Sequence, residues 1–281
     1  MGERDMVFFF WNTNRRDLAA LIGQASRLHD LDVIILAEND QSWATLAAHL
    51  NVGQSPTYRP AIALGQTASL ALITRLPEGS VAPLADYPGL SFRSIAGPMG
   101  PSLTLGMTHL RSKLHQGDTD QAYASTVVRQ RVTEVEDRVG HRRTVLVGDF
   151  NMNPFEDGMV SAGGLHAVSV RAIAERAKRT VDGEEYRFFY NPMWGQFGDR
   201  PPRPPGTYYY SRSHYVEYFW NIFDQVLVRP ELLYSFDDNS IRILSAIGTT
   251  ELRTPSGIPN ATSASDHLPL VFSINVERCH A

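Results

Sequence analysis

The sequence predicts an α+β sandwich, and three features of its pattern support that prediction. Short apolar runs recur along the chain with polar residues between them, as strands do. Several runs are apolar at nearly every position, which is typical of strands that are covered on both faces. Helical stripes separate the early runs, whereas runs without obvious helices crowd between about residues 58 and 108. That mixture favours an α+β sandwich over a simple doubly wound sheet.

Each predicted element follows from its own stretch of sequence. Helices are expected at 18–28 and 123–139, where apolar residues follow the helical period, and a shorter one at 41–50. The predicted strands are residues 6–11, 32–37, 68–74, 102–108, 144–147, 222–228, 241–247 and 268–274.

Length and charge limit the classes of protein to consider. The chain has 281 residues, 43% of them hydrophobic, and no linker divides it, so we expect one catalytic domain over residues 1–281. The formal net charge of −4 argues against a strongly basic nucleic-acid binder. It still allows a nuclease that contacts few phosphates beside a metal ion.

Cysteine content and hydropathy suggest where the chain works. Cys279 is the single cysteine, which excludes a disulfide framework and a cysteine-based zinc cluster. The first residues lack the anatomy of a signal peptide, and no apolar stretch approaches the length of a membrane span. These observations lead us to expect a cytoplasmic protein.

Polar residues with metal-binding or catalytic chemistry stand at the ends of the predicted strands. Such groups can converge on one edge of a sandwich, and an oxygen-rich cluster suits Mg²⁺ or Mn²⁺. The residues are Asn12, Glu38, His109, Asp149, Asn151, Asp266 and His267, with Asp224 inside its own predicted strand.

Each of these residues also has an ordinary structural interpretation. The two asparagines are common turn formers, and the stretch 149–151 could cap a following helix. Residues 266–267 could form a solvated turn. Asp224 is harder to explain in this way, because a carboxylate buried in a strand needs a partner.

Six short blocks resemble, in order, the signature of the endonuclease/exonuclease/phosphatase superfamily, which has the DNase-I-like fold. Together they extend from residue 11 to residue 267, so the resemblance covers nearly the whole chain. The blocks are Trp11-Asn12-Thr13-Asn14, Leu36-Ala37-Glu38, Thr108-His109-Leu110, Gly148-Asp149-Phe150-Asn151, Phe223-Asp224-Gln225-Val226-Leu227-Val228 and Ser265-Asp266-His267.

The resemblance implies a four-layer αββα sandwich, with two central mixed β-sheets flanked by helices and the active site at one rim. It also implies a divalent cation, Mg²⁺ or Mn²⁺. Glu38 would be its principal ligand, helped by Asn12 and Asp266.

The resemblance implies roles for five further residues. Asp149 would position or activate the attacking water, and Asn151 would hold a phosphate oxygen. His267 would contact the scissile phosphate, oriented by Asp224, and His109 would stabilise developing charge or assist the leaving oxygen. An imidazole can carry a proton near neutral pH, and a carboxylate partner fixes its tautomer.

Two functions are compatible with these residues, because fold does not fix substrate. The first is a nuclease that hydrolyses phosphodiester bonds of nucleic acid. The alternative is a phosphatase or phosphodiesterase acting on a lipid headgroup or a small phosphoester. A binding module without activity is a third class, which the intact chemical residues of all six blocks argue against.

A segment at about 181–220 loses periodicity and is predicted to be a long loop. Four prolines (Pro201, Pro202, Pro204 and Pro205) exclude regular structure locally. Residues 186–220 hold 13 of the chain's 28 aromatic residues.

We expect this segment to overhang the metal site and select the substrate. Tyr208 and Tyr210 would stack on bases, and Arg203 and Arg212 would contact phosphates. A strand over residues 207–210 would bury either Tyr209 or its two neighbours. The alternatives are that the rings pack the loop onto the sandwich and that the arginines reflect codon usage.

Overall fold

The computed structural model describes residues 5–61, 70–97, 100–112, 118–199, 203–213 and 215–276. Its strands are β1 (Met6–Asn12), β2 (Val33–Ala37), β3 (Arg59–Pro60), β4 (Leu70–Thr74), β5 (Val81–Tyr87), β6 (Leu90–Ile95), β7 (Leu103–His109), β8 (Thr144–Asp149), β9 (Ala167–Val168), β10 (Lys178–Val181), β11 (Glu184–Arg187), β12 (Phe189–Tyr190), β13 (Tyr208–Tyr209), β14 (Trp220–Asn221), β15 (Asp224–Val228), β16 (Arg242–Ile243), β17 (Ala246–Ile247), β18 (Thr250–Glu251) and β19 (Leu270–Ile274).

The α-helices are α1 (Ala19–Leu28), α2 (Trp43–Leu50), α3 (Asp118–Val139), α4 (Asp157–Val160) and α5 (Arg171–Ala174). Three 3₁₀ helices cover Pro192–Gln196, Pro230–Ser235 and Asp238–Ser240. No described helix combines the length and the hydropathy that crossing a bilayer requires.

Two large mixed sheets form the centre of the molecule. The first has six strands in the order β16-β19-β1-β2-β4-β3, and the second has seven in the order β5-β6-β7-β8-β15-β12-β9. In the first sheet β1 and β2 run parallel, and in the second β7 and β8 do, whereas most other neighbours are antiparallel.

The strand pleat shows how the layers stack. On β8, Val145 and Val147 face the core between the two sheets, whereas Leu146 faces the opposite side, under α3. β15 repeats this alternation, and the valines of α3 pack on that outer face. Because successive strand residues point to opposite faces, the second sheet is covered on both sides.

Helices α1 and α2 cover the first sheet. Ile22 of α1 and Leu46 of α2 join the same core as the wholly buried residues of β1. The two helices approach so closely that a Cβ on Gly23 would lie 2.6 Å from the carbonyl oxygen of His49. The predicted four-layer αββα sandwich is therefore confirmed, with helices outside two mixed sheets.

Residues 68 and 69 of the predicted strand 68–74 lie outside the described residues. All eight predicted strands appear in the described part of the chain, with two differences of detail. The run 241–247 divides into β16 and β17, because Leu244 donates its N–H to Pro269 O while Ser245 O accepts from Leu252, so the chain leaves β19 for a hairpin. The strand predicted at 222–228 begins at Asp224, because the N–H of Ile222 donates to the side chain of Asn153 instead of a strand.

The prediction of an irregular loop at about 181–220 is wrong in part. The segment contains the last residue of β10, all of β11 and β12, a 3₁₀ helix and the small β13–β14 pair. These elements are two to five residues long, too short for periodicity to reveal. Pro201 and Pro202 lie outside the described residues.

Candidate active site

Strand direction brings the predicted site residues to one rim of the sandwich. The parallel strands β1 and β2 both end there, so Asn12 and Glu38 are neighbours. The parallel strands β7 and β8 end at the same rim, with His109 registered beside Asp149. Antiparallel β15 begins there, which places Asp224 opposite Asp149.

Gly148 permits the close spacing of two of these strands. Its φ is +157°, and a Cβ at this position would lie 1.9 Å from the carbonyl oxygen of Thr108. No side chain fits in that space, so only glycine allows β8 to approach β7 immediately before Asp149. The glycine of this block therefore positions the carboxylate that follows it.

Asp224 and His267 form a buried carboxylate–imidazole pair. The Nδ1 of His267 lies 2.8 Å from Asp224 Oδ2, which leaves Nε2 facing Asp149 Oδ2 at 3.8 Å. The indole of Trp11 fixes the backbone of the histidine, donating from Nε1 to His267 O at 2.8 Å. Burial alone would lower the pKa of His267, but the charges of Asp224 and Asp149 raise it to about 10.

Asp149 lies at the centre of the cluster and is almost fully buried. Its Oδ1 accepts a hydrogen bond from the backbone N–H of Asn151 at 2.8 Å, and its Oδ2 accepts from Asn12 Nδ2 at 3.0 Å. Burial raises the pKa of Asp149, and the charge of Asp224 adds to this, against the opposing charges of His267 and His109. The group is a carboxylate held ready to accept a proton.

Glu38 and His109 form a second pair, closer to solvent. The Nε2 of His109 lies 3.3 Å from Glu38 Oε1 and 4.0 Å from Asp149 Oδ2. The hydrogen bond from His109 lowers the pKa of Glu38 to about 2, with help from Asn12 and against the effect of burial. Burial would lower the pKa of His109, but its contact with Glu38 raises it. Glu38 is therefore held as an anion.

The two asparagines have well-defined orientations. Asn12 donates from Nδ2 to both Glu38 and Asp149, while its Oδ1 accepts from the N–H of Asn14 at 3.0 Å. In this orientation Asn12 links the two carboxylates through its nitrogen. Asn151 has a positive φ of 51° and donates from Nδ2 to Leu110 O at 2.9 Å. Its side chain is thereby held at the rim.

The donor set fits a divalent cation. Atoms of Asp149, Asp224 and His267 lie within 4.8 Å of one another. The imidazole, whose pKa is raised to about 10, is a hydrogen-bond donor here, so the carboxylates are the candidate ligands of this group. The buried Oδ1 of Asp224 has no hydrogen-bond partner in the described structure. The half-exposed Glu38 adds a carboxylate open to solvent, and such oxygen donors suit Mg²⁺ or Mn²⁺.

Asp266 is the third predicted metal ligand, and its position differs from that of Glu38. Its Oδ1 lies 3.3 Å from Ser265 Oγ, whose hydrogen is donated at shorter distance to Asn12 O, and its charge acts on His267 and Tyr208. The structure thus brings it to the side of the imidazole. Within the described part of the chain, no hydrogen bond or ion pair joins Asp266 to Glu38.

The predicted substrate-binding tyrosines adjoin the cluster. The Tyr208 ring lies over the imidazole of His267, with centroids 4.7 Å apart, and stacks on Phe223 and Tyr210. Tyr209 points the other way, onto Trp220. The alternation of faces is confirmed, but the expected burial of one set is wrong, because all three tyrosines are half-buried.

The two predicted arginines have different surroundings. Arg203 donates to Gln196 Oε1 at 2.7 Å and to Gly195 O at 3.2 Å, so it is bound to the 3₁₀ helix of its own segment. Arg212 is exposed, with its Cζ 5.3 Å from the centroid of the Tyr210 ring. Of the two, only Arg212 touches a residue that borders the cluster in the described structure.

Two supporting residues were not identified as such from the sequence. Ser265 Oγ donates to Asn12 O at 2.7 Å and accepts from the N–H of His267, joining the first and last blocks. Asn153 is wholly buried. Its Nδ2 donates to Asn221 Oδ1, and its Oδ1 accepts from the N–H of Ile222, just before the strand that begins at Asp224. The available signal in the sequence was the spacing of Asn153, two residues after Asn151 and four after Asp149.

Solved structures share this fold across almost their full length. TDP2 from D. rerio, in complex with a single-strand DNA product, is 17% identical, with a TM-score of 0.54 over 96% of this chain and 99% of that one. The endonuclease domain of the telomere-specific retrotransposon TRAS1 is 12% identical, with a TM-score of 0.53 over 98% and 100%.

A family protein from Bacteroides thetaiotaomicron is 13% identical, with a TM-score of 0.56 over 96% of this chain and 98% of that one. Comparison with curated protein sequences finds no match. The family profile described as Endonuclease/Exonuclease/phosphatase family matches residues 9–267, which include every candidate catalytic and metal-binding residue of the rim. The chain therefore belongs to the endonuclease/exonuclease/phosphatase family, whose members hydrolyse phosphoester bonds.

Proposed function

We propose that this chain is a divalent-metal-dependent phosphodiesterase that hydrolyses nucleic acid, with one catalytic domain over residues 1–281. The observation that carries the proposal is the close grouping of Asp224, His267 and Asp149 at the rim. Asp224 holds Nδ1 of the imidazole at 2.8 Å and directs Nε2 towards Asp149. Asn12 links Asp149 to Glu38, which is held as an anion.

The surroundings of each residue indicate its role in the hydrolysis. Asp149, with its raised pKa, takes the proton of the attacking water at one of its carboxylate oxygens. Protonated His267 donates a hydrogen bond from Nε2 to a phosphate oxygen, while Asp224 accepts from Nδ1 and fixes the orientation of the ring. Asn151 contacts the same phosphate, and His109 assists the leaving oxygen.

Glu38 would hold the cation, with Asp149 beside it and Asn12 and Asp266 as further donors. When bound, the metal ion neutralises the charge of the phosphodiester and lowers the pKa of a water. Asn12 would have to turn its amide to offer an oxygen, since Oδ1 now accepts from Asn14.

We favour nucleic acid as the substrate because aromatic rings border the catalytic cluster on one side. Tyr208 and Tyr210 stack in a row beside His267, and rings of this kind stack on bases. The similar D. rerio TDP2 was solved with a single-strand DNA product, which supports the same choice.

The alternative is a lipid headgroup or a small phosphoester as substrate. The observation that favours it is a group of exposed apolar side chains next to the site: Tyr215, Val216, Tyr218 and Phe219. Aromatic side chains of this kind are common at membrane interfaces.

One assay separates these functions. The purified chain is incubated with Mg²⁺ or Mn²⁺ and plasmid, linear duplex, single-stranded DNA, RNA, phospholipid vesicles or a generic phosphodiester. We expect cleavage of nucleic acid that stops with a chelator and returns with either metal. Full activity after exhaustive chelation, with no residual bound metal, contradicts the metal requirement. Cleavage of lipid alone selects the alternative.

A further inference from the structure

A cavity of about 700 Å³ opens directly beside the rim. Asn151, Tyr208 and Phe223 form its wall on the catalytic side, so a group attached to a phosphate at His267 can enter it. This volume is within the usual range of about 300–1,000 Å³ for ligand pockets. The cavity extends the catalytic cluster into the body of the protein.

Three aromatic rings line the catalytic side of the cavity: Tyr208, Tyr210 and Phe223. Tyr208 lies at an interplanar angle of 26° to Phe223 and 18° to Tyr210, so their planes are nearly parallel. Across the cavity, Phe155 and Tyr218 meet edge to face with centroids 5.2 Å apart. Parallel rings in a row suit a planar ligand that stacks, whereas a quaternary ammonium group needs rings that enclose one point.

The charge of the lining excludes a phosphate from the cavity. Three carboxylates (Glu156, Asp157 and Glu217) line it, and no Lys or Arg is among its described lining residues. Arg212 lies over Tyr210 but outside that lining. A phosphate would meet like charge there, so the phosphodiester stays at the rim and an uncharged part of the substrate occupies the cavity.

We propose that this cavity binds a nucleobase adjoining the scissile phosphate and prefers bases with an exocyclic amino group. Ionised carboxylates only accept hydrogen bonds. Guanine, adenine and cytosine carry amino donors, whereas thymine offers a single N–H between two carbonyl oxygens that face like partial charge. The inference rests on the proposed function and adds a base preference to it.

The test uses p-nitrophenyl esters of the four deoxynucleoside monophosphates, in the 5′ and the 3′ series, with the full chain and its metal. Methyl p-nitrophenyl phosphate has the same leaving group without a base, and p-nitrophenyl phosphorylcholine represents a lipid headgroup. We expect kcat/KM to be on the order of tenfold or more higher for the guanine, adenine and cytosine esters than for the methyl ester, from base stacking. The thymine ester should fall between them.

Two variants test whether residues that line the cavity cause this difference in kcat/KM. Tyr218→Ala should reduce kcat/KM for the nucleoside esters at least several-fold more than for the methyl ester, because a stacking wall is lost. Glu217→Gln should narrow the gap between amino-bearing bases and thymine, because an amide can also donate. Tyr234→Ala is the matched control, since this tyrosine is 83% exposed and lies beyond the far end of β15.

Each of the following outcomes would contradict either the inference or the proposed function. Equal kcat/KM for the methyl and nucleoside esters would mean that the cavity binds no base. Preference for the phosphorylcholine ester would assign it to a lipid headgroup instead. If no ester is cleaved, the proposed function fails, and calorimetry of the intact chain with deoxyguanosine decides the cavity separately, where absence of binding overturns it.

Discussion

The rim contains two carboxylate–imidazole pairs that differ in exposure and spacing. Asp224 and His267 are 2.8 Å apart, with side chains 1% and 8% exposed. Glu38 and His109 are 3.3 Å apart, with side chains 26% and 19% exposed. A buried charged pair is costly to break, because the partner left behind is uncompensated. The first pair is therefore a fixed part of the protein, whereas the second can open to receive a ligand.

Breaking the buried pair should have the largest effect. His267→Ala should lower turnover roughly 10²–10⁴-fold, the usual scale for a group that moves or donates a proton. Asp149→Ala should fall in the same range. Asp224→Asn should also lower turnover, through the orientation of the imidazole. Steady-state kinetics with saturating Mg²⁺, on variants whose circular dichroism matches wild type, measures all three effects.

The double variant His267→Ala/Asp224→Asn should be about as impaired as His267→Ala alone, because the two residues act as a unit. Fully additive losses would show that Asp224 acts independently of the imidazole. That result would remove the distinction between a fixed pair and one that opens.

Breaking the exposed pair should act through the metal. Glu38→Gln removes one charge, which against a divalent cation at about 4 Å and an effective dielectric near 20 is worth about 8 kcal/mol. Partial exposure reduces that value, so we expect a Mn²⁺ titration of activity to shift by roughly 10²-fold. Asp40→Asn, two residues away and exposed, is the control. An unchanged metal titration with reduced turnover would place the cation elsewhere.

The aromatic side of the site should show a smaller effect that depends on salt. Arg212→Ala should weaken nucleic-acid binding and reduce the slope of log affinity against log salt by about 0.7–0.9, the value for one phosphate contact. Arg203→Ala should change the slope less, because that side chain is bound to Gln196. Fluorescence anisotropy at several salt concentrations measures the slopes.

Arg138→Ala provides the control for that series, because Arg138 stands in the last turn of α3, near the start of β8 and away from the rim. Equal slopes for Arg138→Ala and Arg212→Ala would show that neither contacts a phosphate. The arginine excess of the chain would then need no binding role.

A third imidazole, paired with a cation, should respond to pH in the opposite direction from His267. Burial and then the charge of Arg179 lower the pKa of His166 to about 4, and Arg179 Nε donates to its Nε2 at 2.7 Å. The unfolded chain binds this proton near the ordinary pKa of about 6.5. The contribution of His166 to the free energy of unfolding is therefore fully present above about pH 6.5. It is lost as the pH drops from about 6.5 to 4.

His166→Gln should flatten that part of the stability curve, since glutamine does not titrate. Urea denaturation at pH 7 and pH 5 measures the difference in the free energy of unfolding. A variant that loses as much stability between these two values as wild type would assign the acid sensitivity to other groups.

The sequence by itself determined most of the fold and the composition of the site. Apolar period and residue type are local properties, so they located the strands and the polar residues that end them. The six blocks then indicated which residues belong together, and the structure places Asp224 beside His267 as the resemblance implied.

Only the tertiary structure decided how those residues meet. The contact of Glu38 with His109 depends on the packing of one sheet against the other, and that of Asp149 with Asp224 on register. In the segment at 181–220, β12 forms because strands elsewhere in the chain pair with it, as Val228 does with Tyr190. Register and packing join residues far apart in sequence, and no local pattern encodes the distance between their atoms.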